Sequence, residues 1–342
     1  IIAINGESKI RKKQLRRLYE NTNPKEILFC YMENSTLPIW LTDYDHKPRS
    51  PFLEWAFFRY LRQNSIPLGL FYRDIYWKFN DEYNIKGLKR AIMKFIYACE
   101  LRLYKRYVTQ FFLPSKQMNQ YTKFDPKRVH ALPPGGMNCL PLANKDNHEE
   151  GRKLNVIYVG GISPRYGLDI LLEAFKLLNK KNDVARLMMV CREDEYYKYY
   201  TKIRPYEKFS WLEVYHAYGE KLLSIYEQAD IAIIPIHKTL YNDFAVPVKL
   251  FEYLSFGLPV VVTDCAAQAE IVENDKLGVV TRDDSVSISQ GIAFFLDFET
   301  RMQYENNVQD ALINHHLWIH RVKKVYKILM QAKNNNIKEL IN

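Results

Sequence analysis

The chain has 342 residues, 47% of them hydrophobic and 26% charged, with a formal net charge of +10. That length and balance suit a globular protein with room for two cores, and no apolar run approaches the roughly 20 residues that cross a bilayer. Five scattered cysteines (Cys30, Cys99, Cys139, Cys191 and Cys265) are odd in number and nowhere spaced like metal ligands, so free thiols in a reducing cytosol are expected. The chain begins at Ile1, and residues preceding it are expected. The charge is lopsided. Residues 1–150 hold 25 Lys/Arg against 15 Asp/Glu, and residues 151–342 hold 24 against 24. The excess predicts an anionic partner for the first half alone.

In chain order, the first half offers candidate strands at 1–4, 26–31, 68–72, 109–113 and 129–132, with helices between. The segments KIRKKQLRRLYE (9–20) and IKGLKRAIMKFIYACELRLYKRYV (85–108) are basic and amphipathic at helical spacing. In the second, Ile85, Leu88, Ile92, Ile96 and Leu103 are expected on the core side. Two such helices in so basic a half point to an anionic membrane surface or a lipid-phosphate acceptor, and no nucleic-acid-binding motif accompanies them. Loop 32–51 is long, aromatic and charged, and its Glu33 and His46 are the groups most able to move a proton. IPLGLFYRDIYW (66–77) brings Arg73 and Asp74 to a strand end, where a structural Arg–Asp pair capping the next helix is an equal reading. Residues 137–153, rich in Gly, Pro, Asn and charge, form a linker.

The second half alternates continuously apolar strands with helices, the pattern of a parallel sheet covered on both faces. Strands are expected at 155–159, 186–191, 213–216, 231–235, 259–263 and 278–280, and helices at 168–180, 194–202, 220–229 and 267–273. A long C-terminal helix runs over 301–332, interrupted near 314–316. Within VPVKLFEYLSFGLPVVVTD (246–264), Pro247 opens a helix and Gly257 closes it ahead of a buried strand. Such a helix offers free N–H groups to a phosphate, with Lys249 beside them and the Glu252 carboxylate ready for a ribose diol. In VIYVGGISPRYGLDILLEAFKLL (156–178) a strand, a glycine pair and a helix outline a phosphate loop with Gly161, Ser163 and Arg165.

These two segments, together with ADIAIIP (229–235), AEIV (269–272) and Gly278, resemble the nucleotide-binding domain of glycosyltransferase family 4, over roughly 155–328. The resemblance implies an α/β GT-B fold: two Rossmann-like domains with parallel sheets facing a central cleft. It implies an acceptor domain at 1–136, a nucleotide-sugar domain at 154–314 and a closing helix at 315–342 that crosses back onto the first. It also implies a retaining hexosyl transfer from a nucleotide-diphosphate sugar, most commonly a UDP-sugar, to a glycan or lipid-linked acceptor in cell-surface polysaccharide synthesis. The enzyme would then be cytoplasmic and peripheral at the inner face of the cell membrane. Donor contacts fall on Glu252, Lys249, Arg165, Gly161, Ser163, Pro247 and Leu250. Acceptor-side catalytic contacts fall on Asp74, Arg73 and His46.

Two departures stand out. Phe244, with Asp243 beside it, occupies the place of the family's sugar-binding glutamate. Gly161 and Tyr166 replace an arginine and a lysine, with Arg165 one place early. Asp43-Tyr44-Asp45 matches the metal-binding DxD of the GT-A architecture, but the GT-B motifs outweigh it. Neither metal nor cofactor is expected at the donor site, because positive groups take that role. A nucleotide-sugar epimerase and a non-catalytic nucleotide-binding protein are the alternatives.

Overall fold

The computed structural model of the protein describes residues 1–138 and 152–341. The expected linker therefore lies, from 139 to 151, outside the described residues. The chain forms two compact units, Ile1–Pro133 with Arg321–Asn342, and Pro134–His320.

The first unit is built on four parallel strands, β1 (Cys30–Glu33), β2 (Leu68–Phe71), β3 (Gln110–Leu113) and β4 (Val129–Ala131), in that spatial order. Helices α1 (Ser8–Asn21), α2 (Leu53–Gln63), α3 (Gly87–Tyr107) and the short α4 (Asn119–Thr122) connect them. The C-terminal end of the chain returns to this unit, where Leu329 packs with Phe112 and Leu132. Three expectations fail here. Residues 1–4 are not a strand: Ile1 and Ile2 are exposed, and the Asn5 amide donates to Gln14 Oε1 (2.9 Å) rather than to a neighbouring strand. An apolar run without a ladder partner leaves its backbone to solvent or side chains. The strand expected at 26–31 begins only at Cys30, because Asn23 caps a short turn over Pro24–Glu26 by accepting the Lys25 amide.

The third failure concerns α3. Its buried face is Tyr97, Glu100, Leu101 and Tyr104, while Leu88 and Ile92 are exposed. At about 1.5 Å per residue this 21-residue helix is about 32 Å long, whereas its neighbouring four-residue strands span only about 13 Å. The sheet covers only part of the helix, and its first turns extend beyond the core.

The second unit holds six parallel strands, β5 (Leu154–Val159), β6 (Ala185–Val190), β7 (Leu212–Tyr215), β8 (Ile231–Ile234), β9 (Val260–Thr263) and β10 (Gly278–Thr281), ordered β10-β9-β8-β5-β6-β7. The chain moves outward from β5 through β6 to β7, then returns beside β5 as β8 and continues the other way. The boundary between β5 and β8 is thus the topological switch point, where open α/β sheets take ligands at their carboxyl ends. Alternate strand residues serve the two faces. Val156, Tyr158, Leu187 and Ile233 pack with α5 (Leu168–Leu178), while Ile157, Met188, Ile234 and Val262 form the other core.

Helices α6 (Glu193–Ile203), α7 (Glu220–Tyr226), α8 (Val248–Ser255) and α9 (Ala266–Asn274) follow the expected places within a few residues. Helix α10 (Ser285–Ala293) was not expected. It starts where Asp284 accepts the Ser287 amide (2.8 Å), and it buries Ile288 and Ile292. Beyond it, α11 (Phe298–Ala311) and α12 (Trp318–Ile341) flank a π-helical turn over Leu312–His316, matching the expected interruption.

Candidate functional site

The loops after β5 and β8 carry the site. After Val159 the chain turns at Gly160, whose φ of +135° is open only to glycine, and a Cβ there would stand 3.0 Å from Lys249 Nζ. Gly167 ends the loop with φ +75° against the Pro235 carbonyl, where a Cβ would overlap the oxygen at 1.7 Å. The β5 loop therefore lies directly on the end of β8. Between these glycines, Pro164–Tyr166 form one short helical turn, which the Ser163 side chain does not cap.

Lys249 reaches this loop from the first turn of α8. Its ammonium sits 4.4 Å from the centroid of the Tyr158 ring and 5.4 Å from that of Tyr166. Among the described residues its only hydrogen bond is to Tyr158 Oη, at 3.3 Å. Burial pulls its pKa down from 10.5 to about 8, partly offset by the negative charges of Glu252 and Glu195. A cation held by ring faces and one hydroxyl retains donors for an anion. Pro247 is the residue preceding the helix rather than its first turn, which leaves the N–H groups of Val248 and Lys249 at the start of α8. Glu252 is exposed one turn further along, on the same side as Lys249. The buried Tyr226 hydroxyl lies close to Glu252: burial first, then Tyr253 and Glu252, raise its pKa.

Arg165 is exposed on the loop, with its guanidinium 5.2 Å from the Tyr241 ring centroid and 5.9 Å from that of Tyr166. Tyr241 belongs to the β8 loop, so this stacking joins the two loops at the switch point. Gly161 is packed against Tyr166, where a Cβ would stand 2.6 Å from a ring carbon. Leu250 is a correction: its side chain is wholly buried in the core and its amide bonds Pro247 O (3.2 Å), so it offers a ligand nothing.

Asp243 and Phe244 are also engaged internally. Asp243 Oδ1 accepts the Ala266 amide at 2.9 Å, and its carbonyl accepts that of Ala267, holding the start of α9. Phe244 is 2% exposed and meets Tyr241 edge to face.

One residue that motif reading missed is Glu195. From α6 its Oε2 accepts the Ile162 amide at 3.0 Å, while Oε1 takes the Arg192 guanidinium. It anchors the loop and adds negative potential near Lys249. Tyr158, whose hydroxyl donates to the Gly161 carbonyl, is the second. A polar-tipped residue within an aliphatic buried strand was the available signal for it. For Glu195 only its place in the first turn of a helix was visible.

In the first unit, Arg73 and Asp74 do lie at the carboxyl end of β2, but not as a pair. Arg73 faces Glu33 at the end of β1, 3.3 Å apart and both half exposed, and its amide donates to Asn34 Oδ1 (2.7 Å). Asp74 accepts the Ile75 and Tyr76 amides (2.6 and 3.0 Å), so it holds the next turn. His46 is a surface residue at φ +53°, with Nδ1 on the Leu41 carbonyl (3.2 Å), inside its own loop. In the DxD tripeptide, Asp43 is bound to the Ser8 amide and hydroxyl (2.6 and 2.5 Å) and Asp45 to Arg49 (2.8 Å). The two carboxylates thus serve different partners.

Residues 153–297 match the model of the family described as Glycosyl transferases group 1. The fold is GT-B: the chain is similar to WaaG, a glycosyltransferase involved in lipopolysaccharide biosynthesis, with TM-score 0.56, 16% identity, 81% of this chain and 82% of that one. It is similar also to an α,α-trehalose-phosphate synthase (UDP-forming) from Burkholderia vietnamiensis, with TM-score 0.62, 10% identity, 96% of this chain and 77% of that one. The class so defined is a GT-B protein whose second unit is similar to group 1 glycosyltransferases over residues 153–297. Among curated proteins, the putative colanic acid biosynthesis glycosyltransferase WcaL of Escherichia coli K12 is 24% identical over 205 residues, 56% of this chain and 50% of that protein. The chain thus spans half the length of that relative.

Proposed function

We propose that the protein is a retaining glycosyltransferase of family 4 that moves a sugar from a UDP-sugar to a glycan or lipid-linked acceptor in cell-surface polysaccharide synthesis. The observation that carries this reading is the Lys249 ammonium, lodged between aromatic rings beneath the Gly160 turn at the switch point of the second sheet. A departing diphosphate needs such a fixed cation, aided by the N-terminus of α8 and by Arg165. Glu252 takes the ribose diol. These positive groups do the work a metal ion does elsewhere. The acceptor meets the carboxyl edge of the first sheet at Arg73 and Asp74. The protein works in the cytoplasm, against the inner face of the membrane. Support comes from relatives named for colanic acid and lipopolysaccharide biosynthesis, and from a structural neighbour that forms UDP.

A second reading, nucleotide binding without transfer, is favoured by one observation: Phe244 and Asp243 are both engaged internally where a sugar-binding carboxylate is expected. The two separate in one experiment. The purified chain is incubated with UDP- and GDP-sugars while nucleotide release and melting temperature are followed. Transfer predicts thermal stabilisation by the nucleotide and slow release of UDP from one sugar donor, both reduced in Glu252→Ala. Stabilisation without release from any donor supports the second reading. No stabilisation by either nucleotide refutes both.

A further inference from the structure

Leu88, Ile92 and Phe95 are 77%, 51% and 65% exposed at the start of α3. At positions i, i+4 and i+7 they form one stripe along the helix. Tyr97, nine residues beyond Leu88 at about 100° per residue, lies on the opposite side, with Leu101 and Tyr104, in the core. The helix is therefore apolar on two opposite faces, and one of them is uncovered. Scattered exposed apolar residues are ordinary, but an aligned row of three large ones is not.

The exposed charges along the helix and at its start are of one sign. Lys86 and Lys89 are exposed and Lys94 partly so, Arg102 and Arg106 continue the exposed side, and the only acidic residue of the helix, Glu100, is buried. Arg90 is turned aside onto Asn80 and the Tyr83 ring. All of the formal excess of +10 lies in residues 1–150. Among the described residues no helix is long and apolar enough to cross a membrane. The stripe is one row wide and the helix is anchored by its other face, a geometry for lying in an interface rather than spanning it.

We propose that the first half of α3 seats Leu88, Ile92 and Phe95 among the acyl chains of an anionic phospholipid bilayer, with Lys86, Lys89 and Lys94 on the headgroup phosphates. This rests on the reading, proposed above, that the protein works at a membrane surface, and it assigns the contact to one helix face. Two forces act together: burial of apolar area, insensitive to salt, and attraction of lysine to anionic lipid, screened by it.

The test is co-sedimentation of the chain with vesicles of phosphatidylglycerol and phosphatidylethanolamine, against phosphatidylcholine alone. Wild type is compared with Leu88→Gln/Ile92→Gln/Phe95→Gln and Lys86→Gln/Lys89→Gln/Lys94→Gln, each with its melting temperature and, by light scattering, its molar mass. The expected result is binding to the anionic vesicles, weakened about tenfold or more in the apolar variant and weakened with loss of salt dependence in the lysine variant. Melting temperatures stay unchanged, because the altered side chains face solvent. If the apolar variant binds as wild type does, the stripe does not insert, and only this assignment falls. If wild type ignores anionic vesicles, the membrane-surface reading falls with it. A wild-type dimer that the apolar variant turns into a monomer makes the stripe a self-association face and overturns the proposal.

Discussion

Burying an ammonium costs free energy, and the pKa of Lys249, lowered from 10.5 to about 8, measures that cost. Below pH 8 both folded and unfolded chains carry the proton and the cost is fully present. Between about 8 and 10.5 the unfolded chain holds more protons, so rising pH relieves the strain and stability increases. Lys249→Met should therefore stabilise the protein at pH 7, by up to about 3 kcal/mol, while removing stabilisation by UDP. Denaturant melts with and without nucleotide would show it. A variant that loses stability and keeps its nucleotide response would mean that the lysine is structural. Glu252 is exposed, so its replacement should affect the ligand and leave the fold alone.

At the scale of elements, the site depends on a loop held from three sides. Tyr158 holds Gly161 from below, Glu195 holds Ile162 from α6, and Gly167 lies against the end of β8. Glu195→Ala should loosen the loop and also lower the pKa of Lys249 further, since the lost charge was raising it. UDP binding should weaken by about three- to tenfold, with its alkaline limit shifted to lower pH; Glu195→Gln keeps an acceptor for the Ile162 amide and should show the pH shift with a smaller loss. Calorimetric titrations across pH would separate the two effects, and equal behaviour of Ala, Gln and wild type would dismiss the anchor. Much of this architecture was legible beforehand, because Pro247 and Gly257 punctuate α8 and the strands of the second unit are apolar throughout. Glu195 was not legible, since no spacing reveals a side chain reaching back from another element. Helix α10 escaped because SVSISQGIA has few large apolar residues, and its signal was the Asp284 cap. Residues 1–4 misled by hydrophobicity alone, having no strand beside them.

For the molecule as a whole, the lesson of α3 is that apolar periodicity identifies faces without saying which one meets the core. Length decides: a helix much longer than the strands beside it leaves part of an apolar face outside. The uneven charge follows the same division, with the basic unit holding the uncovered face and the other, with 19 Lys/Arg against 26 Asp/Glu over residues 134–320, the Lys249 site. The account stands on that site holding a nucleoside diphosphate. Its most direct test is UDP binding by titration calorimetry to wild type and Lys249→Met, at pH 7 and pH 9.5. The account predicts that wild type binds at pH 7 and about tenfold more weakly at pH 9.5, where the ammonium is largely neutral, and that the variant binds weakly at both, with no such pH step. Equal binding by wild type and variant at pH 7, or no binding of UDP to wild type, would contradict it.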